Sequence, residues 1–330
     1  MVARKPDSVE IRKFLEELKA NPWLGPAKKP WPDCLFRFEP VEAAVHILED
    51  GQFLSRARAT QSGKIEYEAA SSEIISITDD CWKEYVRLYF RPKTPMQFGT
   101  EGFRKAGTYP HHAMCPMPIV FVLSSLDILT RASSVFSDGN LASKARTGND
   151  AAFLREIPFK YVYHDKACDD AEKRKIIYHR HAEIIIPNSL DLAPIRFIGC
   201  RSQAEYETFL HLLSPATRKT WAPRIGVGTR ANLHYHHWMF VEQATLSQRE
   251  ILLRFNPESR DQGPFGMRLE GTYADSGKHF YWEDKNHTFK DPVLTFNLSK
   301  LQISSGYSIR FTIDGRVAYA NDYSEESVPF

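Results

Sequence analysis

The 330-residue sequence predicts an α+β domain followed by an all-β module. Two observations predict this. Up to about residue 240, short apolar strands mix irregularly with amphipathic helices and lack the βαβ rhythm of a doubly wound sheet. After about 241 the texture changes to short alternating segments ("EILLRF", "GMRLEGTY", "KHFYWED", "VLTFNL", "YSIRFTI", "RVAYAND"). Turn signals such as Asp314-Gly315 and Ser276-Gly277 separate them, as in a small sandwich. The expected division is an N-terminal helix and linker over 1–33, an α+β domain over 34–240 and a β-rich accessory domain over 241–330.

In chain order, residues 7–20 read as a helix. Asp7 is the N-cap, Glu10 follows as in a capping box, and Ile11, Phe14, Leu15 and Leu18 form one apolar face. The Pro/Gly-rich stretch "NPWLGPAKKPWP" reads as a strap pinned by Trp23 and Trp31. A strand at 34–38 leads into a helix over 41–49, with Val41, Ala44, Val45 and Leu48 inward and Gly51 as its stop. A polar segment runs to about 73. Alternation then gives a strand over 85–91, ended by Pro92 and Pro95. Further strands are expected over 118–123, over 182–186 and in "APIRFIGC". The charged segment "DDAEKRKIIYHRH" reads as a helix. The segment "SQAEYETFLHLL" reads as another, with Tyr206, Phe209, Leu210 and Leu213 facing inward.

Composition excludes several classes. At 42% hydrophobic and 25% charged, the chain is an ordinary globular protein. It has no membrane-length apolar run, and its N-terminus is amphipathic where a secretory signal would be apolar. The expected location is the cytoplasm. Five cysteines, scattered and without a C-x-x-C pair, argue against a disulfide framework or structural zinc. A net charge of +2 does not by itself announce nucleic-acid binding.

The stretch that raises a chemical question is "HRHAEIIIPN", residues 179–188. Glu183 stands at the head of an apolar β-branched run. Charged residues are seldom buried unless paired, so one reading is a strand-edge carboxylate bridged to Arg180. The other is a carboxylate that stabilises developing positive charge, as in attack on an N-glycosidic bond through an oxocarbenium-like state.

Four segments, "LFRFEPVEAAVHILEDGQFLSR", "YVRLYFRPKTPMQF", "MPIVFVLSS" and "HRHAEIIIPNSLDLAPIRFIG", follow one another in the order of the blocks of the DarT-like family. The sequence resembles that family of nucleic-acid ADP-ribosyltransferases, toxins of bacterial toxin–antitoxin systems, over about 34–240. The resemblance implies a split β-sheet transferase core, NAD+ as co-substrate with no metal, and an antitoxin as partner. The acceptor it implies is single-stranded DNA, with RNA as the alternative.

By the same resemblance, Glu183 is the catalytic glutamate, which holds the ribose 2′-hydroxyl and steadies the cation left by nicotinamide. Arg37 replaces a first-strand His and is expected to clamp NAD+ phosphate, a task that suits guanidinium better than imidazole, with a plain exposed strand residue as the alternative. No arginine is found in "SSEIISITDDCWKEYV", where relatives place a catalytic one, so Arg37, Arg87 or Arg91 takes that role. Gly51, Leu54 and Ser55 match the NAD-binding loop, although Gly51 also reads as a plain helix stop. Ser124 and Ser125 match a middle-strand NAD contact or form an ST-turn. Tyr89, Phe90, Pro95 and Met96 are expected to wall the nicotinamide pocket, with core packing as the alternative for Phe90. His181 stands where Gln or Glu often contacts the acceptor, and strand alternation puts it on the same side as Glu183, with a plain hydrogen bond to a neighbouring loop as the alternative.

Acceptor contacts are expected from Arg56, Arg58 and Lys64, from Lys93, and from Lys173, Arg174, Lys175 and Arg180, with plain solvated faces as the alternative reading of the charge clusters. Tyr163, His164 and Tyr178 interleave aromatic rings. "HYHH" (His234 to His237) lacks thiol or acidic partners at ligand spacing and reads as a surface strand rather than a metal site. "GVGTRA" is no dinucleotide fingerprint. His111 and His112 lie in a loop. A reading of another class is a nucleic-acid-binding protein that keeps the fold without the chemistry.

Overall fold

The computed structural model describes residues 2–63, 80–109, 113–166, 169–228, 231–301, 303 and 305–325. Lys64, His111, His112 and Cys168 lie outside them. The chain divides into two compact units, Met1–Phe98 with Val120–Ile198, and Gly99–Ile119 with Gly199–Phe330. The boundary expected near 240 therefore falls inside the second unit. The α+β class with a C-terminal all-β portion holds.

The first unit is built on β1 (Cys34–Pro40), β2 (Gln52–Leu54), β3 (Tyr85–Tyr89), β4 (Pro118–Ser124), β5 (Val135–Ser137), β6 (Thr147–Gly148), β7 (Glu183–Pro187), β8 (Ser189–Asp191) and β9 (Ile195–Cys200). Its main sheet runs in the order β9-β4-β1-β3-β7-β5-β6, while β2 and β8 pair separately. β7 lies antiparallel between β3 and β5, with Tyr89 opposite Glu183, Leu88 opposite Ile184, and Phe136 also opposite Ile184. Ile184, Ile185 and Ile186 are all buried. An inner strand covered on both faces reads as a continuous apolar run, which is why alternation is absent there.

The helix Ser8–Lys19 buries Ile11, Phe14, Leu15 and Leu18 as its spacing predicts. The capping box is different. The Asp7 carboxylate makes no bond to its own helix and instead accepts the N–H of Ala151, the first residue of the helix Ala151–Glu156. A local signal has become a tertiary cap. The strap is pinned as expected, with Trp31 edge-on to Tyr163 at 5.5 Å and Trp23 at 6.4 Å from the same ring. Gly51 ends the helix Val41–Asp50 at φ 72°, a left-handed stop that suits glycine.

In the second unit, β10 (Ile225–Val227) is followed by β11 (Val241–Leu246), β12 (Glu250–Phe255), β13 (Phe265–Tyr273), β14 (His279–His287), β15 (Val293–Asn297), β16 (Gly306–Ile313) and β17 (Arg316–Ser324). The strands β11 to β17 form sheets of order β11-β12-β15 and β14-β13-β16-β17. Ile251, Leu253 and Phe255, Met267 and Leu269, and Ile309, Phe311 and Ile313 are buried at every second position, sharing one core. Asp314 and Gly315 both take positive φ, 48° and 74°, as a two-residue hairpin turn requires.

The helix Gln203–Leu212 is turned from its expected face. Ala204, Glu205, Thr208 and Phe209 are buried, whereas Tyr206 and Leu210 are only half-buried. The reason is a buried charge cluster that apolar periodicity does not register. The Arg201 guanidinium pairs with Glu205 and, at 3.3 Å, with Glu101. Glu101 also accepts the backbone N–H groups of Tyr235 at 2.9 Å and His236 at 3.1 Å. His234 is buried with its Nε2 3.0 Å from the Pro118 carbonyl, so "HYHH" is not a surface strand. Burial pushes the imidazole of His234 down to about 4.

Candidate active site

Glu183 opens β7, and three strands converge on it. From β5, Ser137 Oγ accepts the Glu183 backbone N–H at 2.9 Å and donates its own proton to the Gly139 carbonyl at 2.9 Å. From β3, Arg87 and Tyr89 lie on one face by alternation, and Tyr89 is the cross-strand partner of Glu183. Arg87 Nε donates to Glu183 Oε2 at 2.7 Å. The partner of the carboxylate is thus Arg87, not Arg180. Its side chain is 3% exposed and that of Arg87 27%, so the pair is a buried carboxylate under a partly accessible guanidinium. From β1, Arg37 Nη1 donates to the Arg87 carbonyl at 3.0 Å.

Burial raises the Glu183 pKa above the ordinary carboxylate range, and Arg87, with smaller contributions from the Tyr89 hydroxyl and Arg37, offsets only part of it. Burial and the Glu183 charge likewise push the Tyr89 phenol up. The site therefore holds its carboxylate at an electrostatic cost. That is a common mark of a group kept for chemistry rather than for stability.

His181 departs from the expectation of strand alternation. β7 begins at Glu183, and His181 sits in the turn after the helix Asp170–His179. Its Nδ1 is 2.9 Å from the Ile177 carbonyl. A carbonyl only accepts, so Nδ1 carries the proton. Burial and the charges of Arg87 and Arg91 lower the pKa of the ring. The neutral tautomer that results leaves Nε2 as an acceptor, two residues from Glu183.

The remaining candidates are dispersed. Gly51 and Ser55 flank β2, whose last residue Leu54 pairs with Ser189, and Ser55 N–H donates to the Asn188 carbonyl at 2.7 Å. They lie beyond the far end of β7, roughly 16 Å from Glu183 at the rise of an extended strand. Ser55 caps the helix Arg56–Gln61, which carries Arg56 and Arg58. Ser124 is buried on β4, where it caps the helix Ser125–Leu129 and accepts Arg196 Nη2 at 2.8 Å. Three strand spacings, about 14 Å, separate it from β7. Phe90 is core, edge-on to Phe159 at 5.1 Å, whereas Met96 and Lys93 are half-buried.

Arg91 is buried and donates to the carbonyls of Pro92, Val162 and His164. Arg180 donates to the carbonyls of His164 at 2.8 Å and Lys166 at 3.2 Å, which commits it to that loop. Tyr163 is buried and offers no stacking face. Lys175 lies over the Tyr161 ring at 4.6 Å. Sequence reasoning missed Ser137, for which "VFSDG" carries no signal. It left Arg87 as one of three choices, although alternation in "YVRLY" already sets Arg87 on the Tyr89 face.

The class of protein is set by the family match: this chain is an ADP-ribosyltransferase that uses NAD+. Residues 36–235 match the family described as "ssDNA thymidine ADP-ribosyltransferase, DarT", and the chain belongs to that family. The sequence matches no curated protein. Among solved structures it is similar to Thermus sp. 2.9 DarT in complex with ADP-ribosylated ssDNA, at 18% identity and TM-score 0.49, over 62% of this chain and 98% of that one. The same Thermus protein in complex with NAD+ gives 18% and 0.47 over the same shares. Thermosipho africanus DarTG in complex with ADP-ribose gives 16% and 0.46, over 66% of this chain and 54% of that one.

Among the described residues no group of three His, Cys, Asp or Glu is placed to hold a metal ion. No described helix is long and apolar enough to cross a membrane.

Proposed function

We propose that this protein transfers ADP-ribose from NAD+ to a base of single-stranded DNA, and that it acts as a toxin restrained by an antitoxin or deployed in phage defence. The observation that carries the transfer chemistry is the Arg87–Glu183 pair at 2.7 Å at the head of β7, within the family span. Glu183 takes the ribose 2′-hydroxyl and stabilises the oxocarbenium as the bond from C1′ to nicotinamide breaks, its electron pair leaving with nicotinamide. The family description points to thymidine, whose ring N3 carries a proton. N3 bonds to C1′, and its proton passes to His181 Nε2, which the Nδ1–H tautomer leaves free to accept it. A base must be unstacked to present this edge, which favours a single strand over a duplex. The 51–58 segment takes the adenosine end of NAD+, with Arg56 and Arg58 beside the acceptor strand. The β-rich module binds the antitoxin, the substrate or another partner.

The test incubates labelled NAD+ with single-stranded DNA, RNA or protein, with the wild type and Glu183→Ala. Label should pass to single-stranded DNA from the wild type alone. Label on RNA only would move the acceptor, and label from Glu183→Ala would sink the mechanism. Expression in a host without an antitoxin should arrest growth, and Glu183→Ala should relieve it. A harmless wild type refutes the toxin role.

A further inference from the structure

We propose that Arg87, rather than Arg37, grips the diphosphate of the dinucleotide beside Glu183, and that Arg37 acts as its positioning residue. This rests on the transferase reading of the same site and names the group that meets the anionic part of its substrate.

The two guanidinium groups are in different states. Each of the three guanidinium nitrogens of Arg37 already has a protein partner. Its Nε donates to Glu39 Oε1, its Nη2 pairs with the same carboxylate, and its Nη1 donates to the Arg87 carbonyl at 3.0 Å. Its charge is matched by Glu39, and its plane lies over the Phe53 ring at 5.6 Å. With Nη1 and Nη2 each already engaged, Arg37 presents no terminal pair of nitrogens without a partner to an incoming anion. Arg87 uses only Nε, on Glu183 at 2.7 Å. Among the described residues neither of its terminal nitrogens has a hydrogen-bond partner, and its side chain is 27% exposed. The edge of the guanidinium formed by Nη1 and Nη2 is the one that meets phosphate bidentately.

Connectivity selects the ligand. Glu183 works at the nicotinamide ribose, and the diphosphate is joined to that ribose through C5′. A side chain already touching the carboxylate is therefore within reach of the nearer phosphate. The acceptor's own phosphates lie across a deoxyribose from the base edge that reacts. The same arginine then holds the carboxylate and the leaving substrate in one frame, while Arg37 fixes the backbone from which it projects.

The test measures binding of ADP-ribose and, separately, of a short oligothymidine by calorimetry on the full chain, for wild type, Arg87→Gln, Arg87→Lys and Arg37→Gln. Thermal unfolding checks that each is folded. Arg87→Lys keeps the charge beside Glu183 and so guards against a simple folding defect. Arg87→Gln should weaken ADP-ribose ~10- to 100-fold, Arg87→Lys nearly as much, and Arg37→Gln clearly less, with oligothymidine affinity little changed by either Arg87 variant. Unchanged ADP-ribose affinity in Arg87→Gln, or a larger loss in Arg37→Gln, overturns the assignment. Loss of oligothymidine binding with ADP-ribose binding intact also overturns it, because the phosphate would then be the acceptor's. A wild type that binds no ADP-ribose would instead undermine the transferase reading itself.

Discussion

Replacing Glu183 with glutamine should remove activity without removing stability. The carboxylate side chain is 3% exposed, and its raised pKa means that burial outweighs the attraction of Arg87. The fold is therefore less stable with this carboxylate ionised than with it neutral. Glutamine keeps the shape and drops the charge. It leaves Arg87 without its counter-ion, but at 27% exposure that guanidinium can be hydrated and escapes most of the ~3–5 kcal/mol that breaking a fully buried pair costs.

The net effect expected at pH 7–8 is between zero and ~1 kcal/mol in favour of the variant, the low end for replacing a buried pair. In Tm that is at most ~4 °C for a domain of this size. A carboxylate whose pKa is raised on folding contributes stability that is fully present below its unfolded pKa, 4.5, and lost as pH rises through the folded one. The advantage of the variant should thus grow with pH and vanish near pH 4. Activity should fall ~100-fold or more. Thermal unfolding from pH 4 to 8, alongside labelling of DNA with NAD+, reads both quantities. A wild type more stable than Glu183→Gln by a margin that grows with pH would show the carboxylate to be a stabilising ion pair, and would refute the reasoning.

Two further outcomes are expected. His181 and Glu183 must both be unprotonated to work, so the acid limb of kcat/KM should approach a slope of two in the wild type. In His181→Gln it should fall to one, with kcat down ~100-fold; an unchanged slope would remove His181 from the chemistry. Arg201→Met leaves Glu101 and Glu205 buried without their cation and should cost ~3–5 kcal/mol in urea unfolding. A loss below ~1 kcal/mol would mean that the cluster is not charged as drawn.

The regular parts of the fold were legible because they follow local rules. The helix Ser8–Lys19 and the alternating strands of the C-terminal module came from periodicities of 3.6 and 2, which the backbone imposes wherever one face is buried. Legibility failed where a polar group answered to something distant in sequence. Asp7 looks like a local cap and serves a helix at 151, and Glu205 turns its helix toward Arg201 and Glu101. His181 shows the same limit, since the alternation argument required a strand that begins two residues later.

For the site, the sequence by itself pointed to the carboxylate: a lone Glu at the head of an apolar inner run, within ordered blocks of a known family. What holds that carboxylate was decided only by tertiary structure. Arg87 is 96 residues from Glu183, and Ser137 is 46. Strand order and register bring them together, and a hydrogen bond between side chains far apart in the chain leaves no periodic trace in the sequence. The two arginines differ for the same reason. Both are strand residues in sequence, and only their neighbours, Glu39 beside one and Glu183 beside the other, leave one guanidinium committed and the other with an open edge.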